Sequence, residues 1–305
     1  MQSNSRNQIP IKLGQAQEST DGSSSEEIVA WLRDLYISDN CPWVIGYSGG
    51  KDSTAMLLYL VEHHGPERLI AHHQVLPEDW PETLPCVQDV CARLGVPLVA
   101  QQMVYEPVGD GSGVQRMDVI DVDAPGDIVP WGTPGAIAGI TDLAMRRSWP
   151  PTPGCRFGTA YFKVRLLDWW IIQQQRTMAL GPDVIVALGE RWAESPRRAK
   201  KVELWPRPRC QRKAYRVWNW LPVIAWSRRQ TFRRMRDWGI EPHPAYRAQG
   251  MADWQMYDMD VEGGPRTGCR ACIYASHADL CHQALIEANR GLFDQVHLVE
   301  RVTGR

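Results

Sequence analysis

Val44-Ile45-Gly46-Tyr47-Ser48-Gly49-Gly50-Lys51-Asp52-Ser53-Thr54 is the stretch whose reading decides the fold. An apolar run passes through two glycines straight into Ala55-Met56-Leu57-Leu58 and Leu60-Val61, the pattern of a strand, a tight loop and a helix start. Glycines at 49 and 50 remove the Cβ atoms that would hold an anion off the backbone. The helix behind them offers unpaired N–H groups and the positive end of its dipole. Ser53 and Thr54 add hydroxyls and Lys51 a point charge, so the loop reads as a grip for pyrophosphate. The bland alternative is a Ser/Gly turn with a solvated lysine. The spacing is not that of the Walker loop, which needs four residues between its first glycine and the Gly-Lys pair.

Working outward, the helix ends near Gly65-Pro66, Leu69 to Val75 reads as a second buried strand, Trp80 to Leu94 as a helix closed by Gly95, and Val96 to Ala100 as a third strand. That alternation predicts an α/β fold with a twisted, mostly parallel sheet and helices on both faces. Ligands of such sheets lie at the carboxyl ends of the strands, where 48–53 sits. His72 and His73 reach the same end, and adjacent strand residues face opposite ways, so at most one is expected to touch a ligand. Residues 104–153 break up into Gly, Pro and Asp and read as an irregular insertion, in which Asp121 and Asp123 are either solvated or a Mg²⁺ hold. A helix from about Thr159 to Leu180 carries Lys163 and Arg165. The strand Val184 to Leu188 then runs into Gly189-Glu190-Arg191-Trp192-Ala193-Glu194-Ser195-Pro196-Arg197-Arg198, a second strand-to-glycine-to-helix junction with cations at its mouth.

The expected organisation is a loose arm over 1–22, an α/β nucleotide-binding domain over 23–240, and a helical, cysteine-bearing segment over 241–305 packed on it. The net charge of −1 hides an asymmetry: from Arg191 to Arg236 there are fifteen Lys/Arg against Glu194 and Glu203, a local balance of +13. Five tryptophans lie in the same stretch, and cations interleaved with aromatics fit nucleic acid, although arginine-studded helices are also simply solvated. No run of 18 apolar residues occurs and the first 21 residues are polar, so a cytoplasmic protein that does not enter membranes is expected. In a reducing compartment eight cysteines read as thiols, metal ligands or sulfur carriers rather than disulfides. Cys269, Cys272 and Cys281 have the spacing Cys-x₂-Cys-x₈-Cys and lack a fourth ligand, for which Cys155 is the first choice and Cys210 the second. Iron–sulfur, zinc and unligated or persulfide-forming thiols all remain open.

Ser48-Gly49-Gly50-Lys51-Asp52-Ser53 resembles the signature of the PP-loop ATP pyrophosphatases, whose fold is adenine nucleotide alpha hydrolase-like. Gly189, Arg191, Glu194, Ser195 and Arg198 match the Gly-x-Arg-x-x-Glu-Ser-x-x-Arg pattern of the PAPS-reductase-like branch, and Leu221 to Ser227 resembles its Pro-Ile-x-x-Trp segment. An early cysteine with a late Cys-x₂-Cys and one more is similar to the DNA phosphorothioation proteins of the DndC and SspD type. The resemblance implies ATP and Mg²⁺ at Ser48, Gly49, Gly50, Lys51, Asp52, Ser53, Gly189, Glu194 and Ser195, with Lys51, Asp52, Arg191 and Arg198 in catalysis. It also implies a [4Fe–4S] cluster, or Zn²⁺, on Cys155, Cys269, Cys272 and Cys281. The implied reaction is cleavage of ATP to AMP and pyrophosphate to activate an oxygen for sulfur insertion, with DNA held by 191–236, a cysteine desulfurase as sulfur donor and other modification-complex subunits as partners. Rival readings are a sulfonucleotide reductase, whose Cys-Cys pair or Glu-Cys-Gly-x-His nucleophile is not found in this sequence, a tRNA thiolase and an FAD-synthetase-like adenylyltransferase.

Overall fold

The computed structural model describes residues 42–109, 113–147, 157–212, 214–257, 268–270, 280, 283–285 and 289–303. Seven strands form one sheet in the order β4-β3-β2-β1-β5-β7-β6. They are β1 (Trp43–Gly46), β2 (Leu69–Gln74), β3 (Leu98–Val108), β4 (Gly113–Asp121), β5 (Asp183–Leu188), β6 (Leu204–Pro206) and β7 (Arg216–Trp220). The five inner strands are parallel, and the two edge strands, β4 and β6, are antiparallel to their neighbours.

Period-two alternation in β1 explains why helices cover both faces. Trp43 and Ile45 enter one core with Met56, Leu57 and Leu60 of α1 (Lys51–His64), Val87 and Val90 of α2 (Thr83–Leu94), and Phe232 and Met235 of α5 (Arg228–Asp237). Val44, between them, faces the opposite core with Val184, Val186 and Val217 and with Leu167, Trp170 and Ile171 of α4 (Arg165–Arg176). α1 ends at Gly65 and α2 at Gly95, both at positive φ and both donating their amide back to the last turn. Ser227 caps α5 as expected, its hydroxyl accepting from the Gln230 amide at 3.2 Å.

Residues 104–153 depart from the expected irregular stretch. β3 runs on to Val108, turns back as β4, and is followed by α3 (Ile140–Arg147). The outer face of β4 is exposed and carries Arg116 and Asp118, so no apolar alternation marks it in the sequence. Asp121 ends this strand and accepts from Gln101 Nε2 at 2.7 Å. Tyr105, Ile137, Leu143, Phe157 and Phe162 make a third core under this edge. The helix expected from Thr159 begins as a π-helical turn, Thr159–Val164, before α4. Among the described residues after α5 are α6 (Ala245–Ala248), α7 (Asp253–Tyr257) and α8 (Arg290–Thr303), the last packed on α3. No helix among the described residues is long and apolar enough to cross a membrane.

Candidate active site

The loop sits where β1 ends. Gly49 adopts φ +74°, where an L side chain is strained, and a Cβ there would meet Val87 Cγ2 at 3.0 Å. Ser48 and Ser53 close the loop on themselves: their hydroxyls lie 3.0 Å apart and Ser53 Oγ also donates to the Gly50 carbonyl at 3.0 Å. The second junction, at the end of β5, is pressed against the first. A Cβ on Gly189 would stand 2.5 Å from the Ser53 Cα, so only glycine admits this approach. Parallel pairing of β1 with β5 therefore unites two motifs that are more than a hundred residues apart.

Between the junctions lies a buried charge triad. Asp52 accepts from Lys51 Nζ at 2.6 Å and from Arg191 Nε at 2.5 Å, and Arg191, 1% exposed, also donates to the Trp226 carbonyl at 3.2 Å. Burial by itself would raise the Asp52 carboxyl, but Lys51 and Arg191 outweigh it and hold the group below the usual carboxylate range. Burial would likewise lower Lys51, and the Asp52 charge overrides it and lifts the ammonium. Lys51 and Asp52 thus hold one another in the ionised form, and Arg191 adds to the hold on Asp52. Arg198 is farther out, paired with Glu194 and with Glu190 at 3.3 Å, while the Glu194 carboxylate also accepts the Arg191 amide at 2.8 Å. The junction after β5 opens with a short 3₁₀ turn, Trp192–Glu194, instead of the expected helix, so its cations are fixed by carboxylates and not by a helix end. Ser195 Oγ accepts from the Arg198 amide at 3.3 Å.

Two contributors were invisible in the sequence because they come from 195 and 160 residues away. The Tyr246 hydroxyl accepts the Lys51 amide at 3.1 Å, and His243 Nε2 bonds Thr83 Oγ1 at 3.1 Å beside Gly49. Nothing in the local pattern around Pro244-Ala245-Tyr246 marks a phosphate loop partner. His243 accepts the Ala245 amide on Nδ1, and burial pushes it down to about 4, so it is a neutral donor to Thr83.

Next to the loop is a cleft of about 280 Å³ lined by His73, Asp79, Trp80, Thr83, Trp131 and Arg270 among others. Both histidines of β2 are buried, but their neighbours separate them. His72 is engaged by Gln101 at 3.2 Å, while His73 donates Nδ1–H to the Tyr47 carbonyl at 2.8 Å. Burial lowers the His73 pKa, leaving Nε2 an acceptor; that atom and the indole N–H of Trp80 are buried without a hydrogen-bond partner. One acceptor and one donor thus stand unsatisfied in residues that line the cleft, as a ligand offering the complementary pair requires.

Of the four proposed metal cysteines, Cys155, Cys272 and Cys281 lie outside the described residues. Cys269 packs against the third core, and the neighbouring Arg270 fastens its segment to the β2–α2 loop through the carbonyls of Pro77 at 3.0 Å and Glu78 at 3.4 Å. Arg270, next to Cys269, is thereby brought to the cleft. Cys210 has the packing role that the sequence hid: it is fully buried beside Asp168, and burial pushes its thiol up to about 12, unlike a ready thiolate ligand. No group of three or more metal-binding side chains occurs among the described residues.

No protein-family profile matches the chain. A tRNA(Ile)-lysidine synthase of Nitratidesulfovibrio vulgaris is 27% identical over 189 residues, covering 56% of this chain and 53% of that protein, so the chain spans about half the length of this curated relative. Among solved structures, a phosphoadenylyl-sulfate reductase from Candida auris in a phosphate complex is 12% identical, with a TM-score of 0.41 over 79% of this chain and 98% of that one. The U34-tRNA thiolase NcsA from Methanococcus maripaludis, with its [4Fe-4S] cluster, is 11% identical, with a TM-score of 0.44 over 95% and 85%. An FMN adenylyltransferase of Candida glabrata is 10% identical, with a TM-score of 0.36 over 75% and 66%. The chain thus sets the Ser48–Ser53 loop at the end of the first strand of a mostly parallel α/β sheet and is similar over about half its length to a tRNA(Ile)-lysidine synthase.

Proposed function

We propose that the chain cleaves ATP to AMP and pyrophosphate and uses the adenylyl group to activate an acceptor oxygen for replacement by sulfur, with the DNA backbone as acceptor. The observation that carries this reading is the contact of the two glycine junctions, with Lys51, Asp52 and Arg191 buried together at their seam. Ser48 to Ser53 receive the β and γ phosphates, and Lys51 offsets charge as pyrophosphate departs. Arg191 orders Asp52, which in turn aims Lys51, and Arg198 with Ser195 and Glu194 lies on the acceptor side. Asp52 has both oxygens on cations, so a protein-held Mg²⁺ does not fit at this carboxylate; an ion carried in on the nucleotide's own phosphates would supply positive charge at the loop.

In the chemical sequence, a non-bridging oxygen of a DNA phosphodiester attacks the α phosphorus of ATP and the bond to pyrophosphate breaks. Hydrosulfide, released from a cysteine desulfurase persulfide by a second thiol that forms a disulfide with the persulfide-bearing cysteine, then attacks the DNA phosphorus. AMP leaves with the oxygen, the sulfur loses its proton, and a phosphorothioate remains. Cys155, Cys269, Cys272 and Cys281 would hold an iron–sulfur cluster, or zinc, whose chemistry is to carry or bind sulfide. The similarity to a tRNA-modifying enzyme favours a second reading, in which the acceptor is RNA.

The test is product analysis with ATP and Mg²⁺ for the wild type and Lys51→Ala. Loss of one transition-state donor lowers AMP release by about 10²–10³-fold. Unchanged AMP release would remove the loop from catalysis, and ADP with phosphate as products would remove α–β cleavage. Mass spectrometry of digested DNA and RNA from cells with and without the protein then identifies which polymer gains sulfur.

A further inference from the structure

Six of the fifteen cations of 191–236 are committed to carboxylates. Arg191, Arg198, Lys201, Arg207, Arg216 and Arg234 each pair with a carboxylate. A different set is not. At the β4 edge, Arg116 lies 4.6 Å over the Trp169 ring, Arg165 lies 3.8 Å over Tyr161, and Arg147 stands 5.0 Å from Tyr161 and 5.2 Å from Phe157. None of the three pairs with a carboxylate among the described residues. Asp118, two residues along β4 from Arg116, directs an oxygen to the Val119 amide at 2.7 Å.

The set is one continuous surface. Arg116 is the cross-strand partner of Tyr105, whose hydroxyl donates to the Tyr161 carbonyl at 2.6 Å, and Arg165 and Trp169 are one helical turn apart on α4. Arg147 donates Nη2–H to the Tyr161 hydroxyl at 3.0 Å while its Nε has no partner. Burial would raise the Tyr161 phenol, yet that hydrogen bond and the charges of Arg165 and Arg147 hold it below its usual value, a mark of strong local positive potential. The π-helical turn Thr159–Val164 creates the arrangement by setting Tyr161 against Tyr105, and such turns recur at functional sites. Its Lys163 is close enough for its charge to act on His73 in the cleft wall.

We propose that Arg116, Arg147 and Arg165, held on Trp169, Tyr161 and Phe157, form a track that binds a DNA backbone and leads it from the β4 edge to the cleft. Guanidinium planes stacked on rings keep their N–H edges free for phosphate oxygens and lose little side-chain freedom on binding. A row of cations that make no ion pair with a carboxylate among the described residues suits a linear polyanion better than a protein surface of mixed sign. This inference rests on the reading of DNA as acceptor and goes beyond it by naming a contact outside 191–236.

The experiment measures binding of a fluorescent DNA duplex by anisotropy across a salt series, using the full chain. Arg116→Gln/Arg165→Gln should weaken binding by roughly tenfold or more, as loss of two charge-assisted bonds implies. It should also reduce the slope of log K against log salt by about 1.8, or about 0.9 per lost phosphate contact. Arg165→Lys should keep most of the slope, and thermal melting reports whether each variant is folded. Unchanged affinity and slope in folded double variant would overturn the track while leaving DNA as acceptor intact. Equal arginine dependence with RNA but none with DNA, or with anionic vesicles but neither polymer, would overturn it too. Loss of DNA binding in a protein that never yields AMP keeps the track and removes the proposed chemistry.

Discussion

Replacing Asp52 with asparagine strands two buried cations at once. Lys51 Nζ and Arg191 Nε lie 2.6 and 2.5 Å from its two oxygens, with side chains 8% and 2% exposed, so water cannot readily replace the carboxylate. Removing one partner of a buried pair costs about 3–5 kcal/mol, against about 0–1 for a surface pair. Asp52→Asn should therefore lower unfolding free energy by about 3–5 kcal/mol, a fall of roughly 6–20 °C in Tm for a domain of this size. Denaturant titration and calorimetry measure it. Asp52 is depressed, so its share of stability is present above the ordinary carboxylate pKa and fades as pH falls through its lower folded value; Lys51 is elevated, so its share fades only as pH rises past the ordinary lysine range. The difference between wild type and variant should be flat from about pH 5 to 9 and shrink in acid. Pyrophosphate gives the stranded cations an anion, so it should raise the Tm of the variant more than that of the wild type. A loss below about 1 kcal/mol would refute the buried triad, because that is the scale of exposed pairs.

Gly189→Ala forces a methyl to within 2.5 Å of the Ser53 backbone; a cost of about 1–3 kcal/mol and loss of ATP cleavage are expected in melting and product assays. Ser227→Ala removes the cap of α5 and should cost about 1 kcal/mol by denaturant titration, with ATP cleavage unchanged. Tyr246→Phe leaves the Lys51 amide without its hydroxyl partner and should cost about 1–3 kcal/mol; recovery of that loss when pyrophosphate is added would show the amide taking a phosphate oxygen instead. Cys210, fully buried with its thiol pushed up to about 12, should resist iodoacetamide at pH 8 in the native protein and react on unfolding, as mass spectrometry of the alkylated peptide would report.

β1, β2, β5 and the start of β3 were legible because each is rich in apolar residues, as burial on two faces demands, whereas the inner strand β7, Arg216–Trp220, was not read as one. The β4 edge was not, since a strand with one wet face and polar residues on it resembles a loop. Ser48 to Ser53 could be found by pattern because the anion grip is built from consecutive residues. Arg191 was found as a cation but not as the partner of Asp52, which depends on β1 lying beside β5. Tyr246 and His243 carried no signal, as their roles exist only where the chain returns to the loop.

By itself the sequence determined an α/β chain with a phosphate-gripping junction after its first strand, since period, glycine placement and capping are local properties. Only the tertiary structure decided which charges neutralise one another. The basic stretch 191–236 is numerically the most cationic part of the chain, yet six of its fifteen cations find carboxylates at Asp52, Glu62, Asp168, Asp183, Glu190 and Glu194. Arg116, Arg147 and Arg165, scattered in the sequence, converge on aromatic rings. Electrostatic interaction falls with distance in space and not along the chain, and the fold sets that distance.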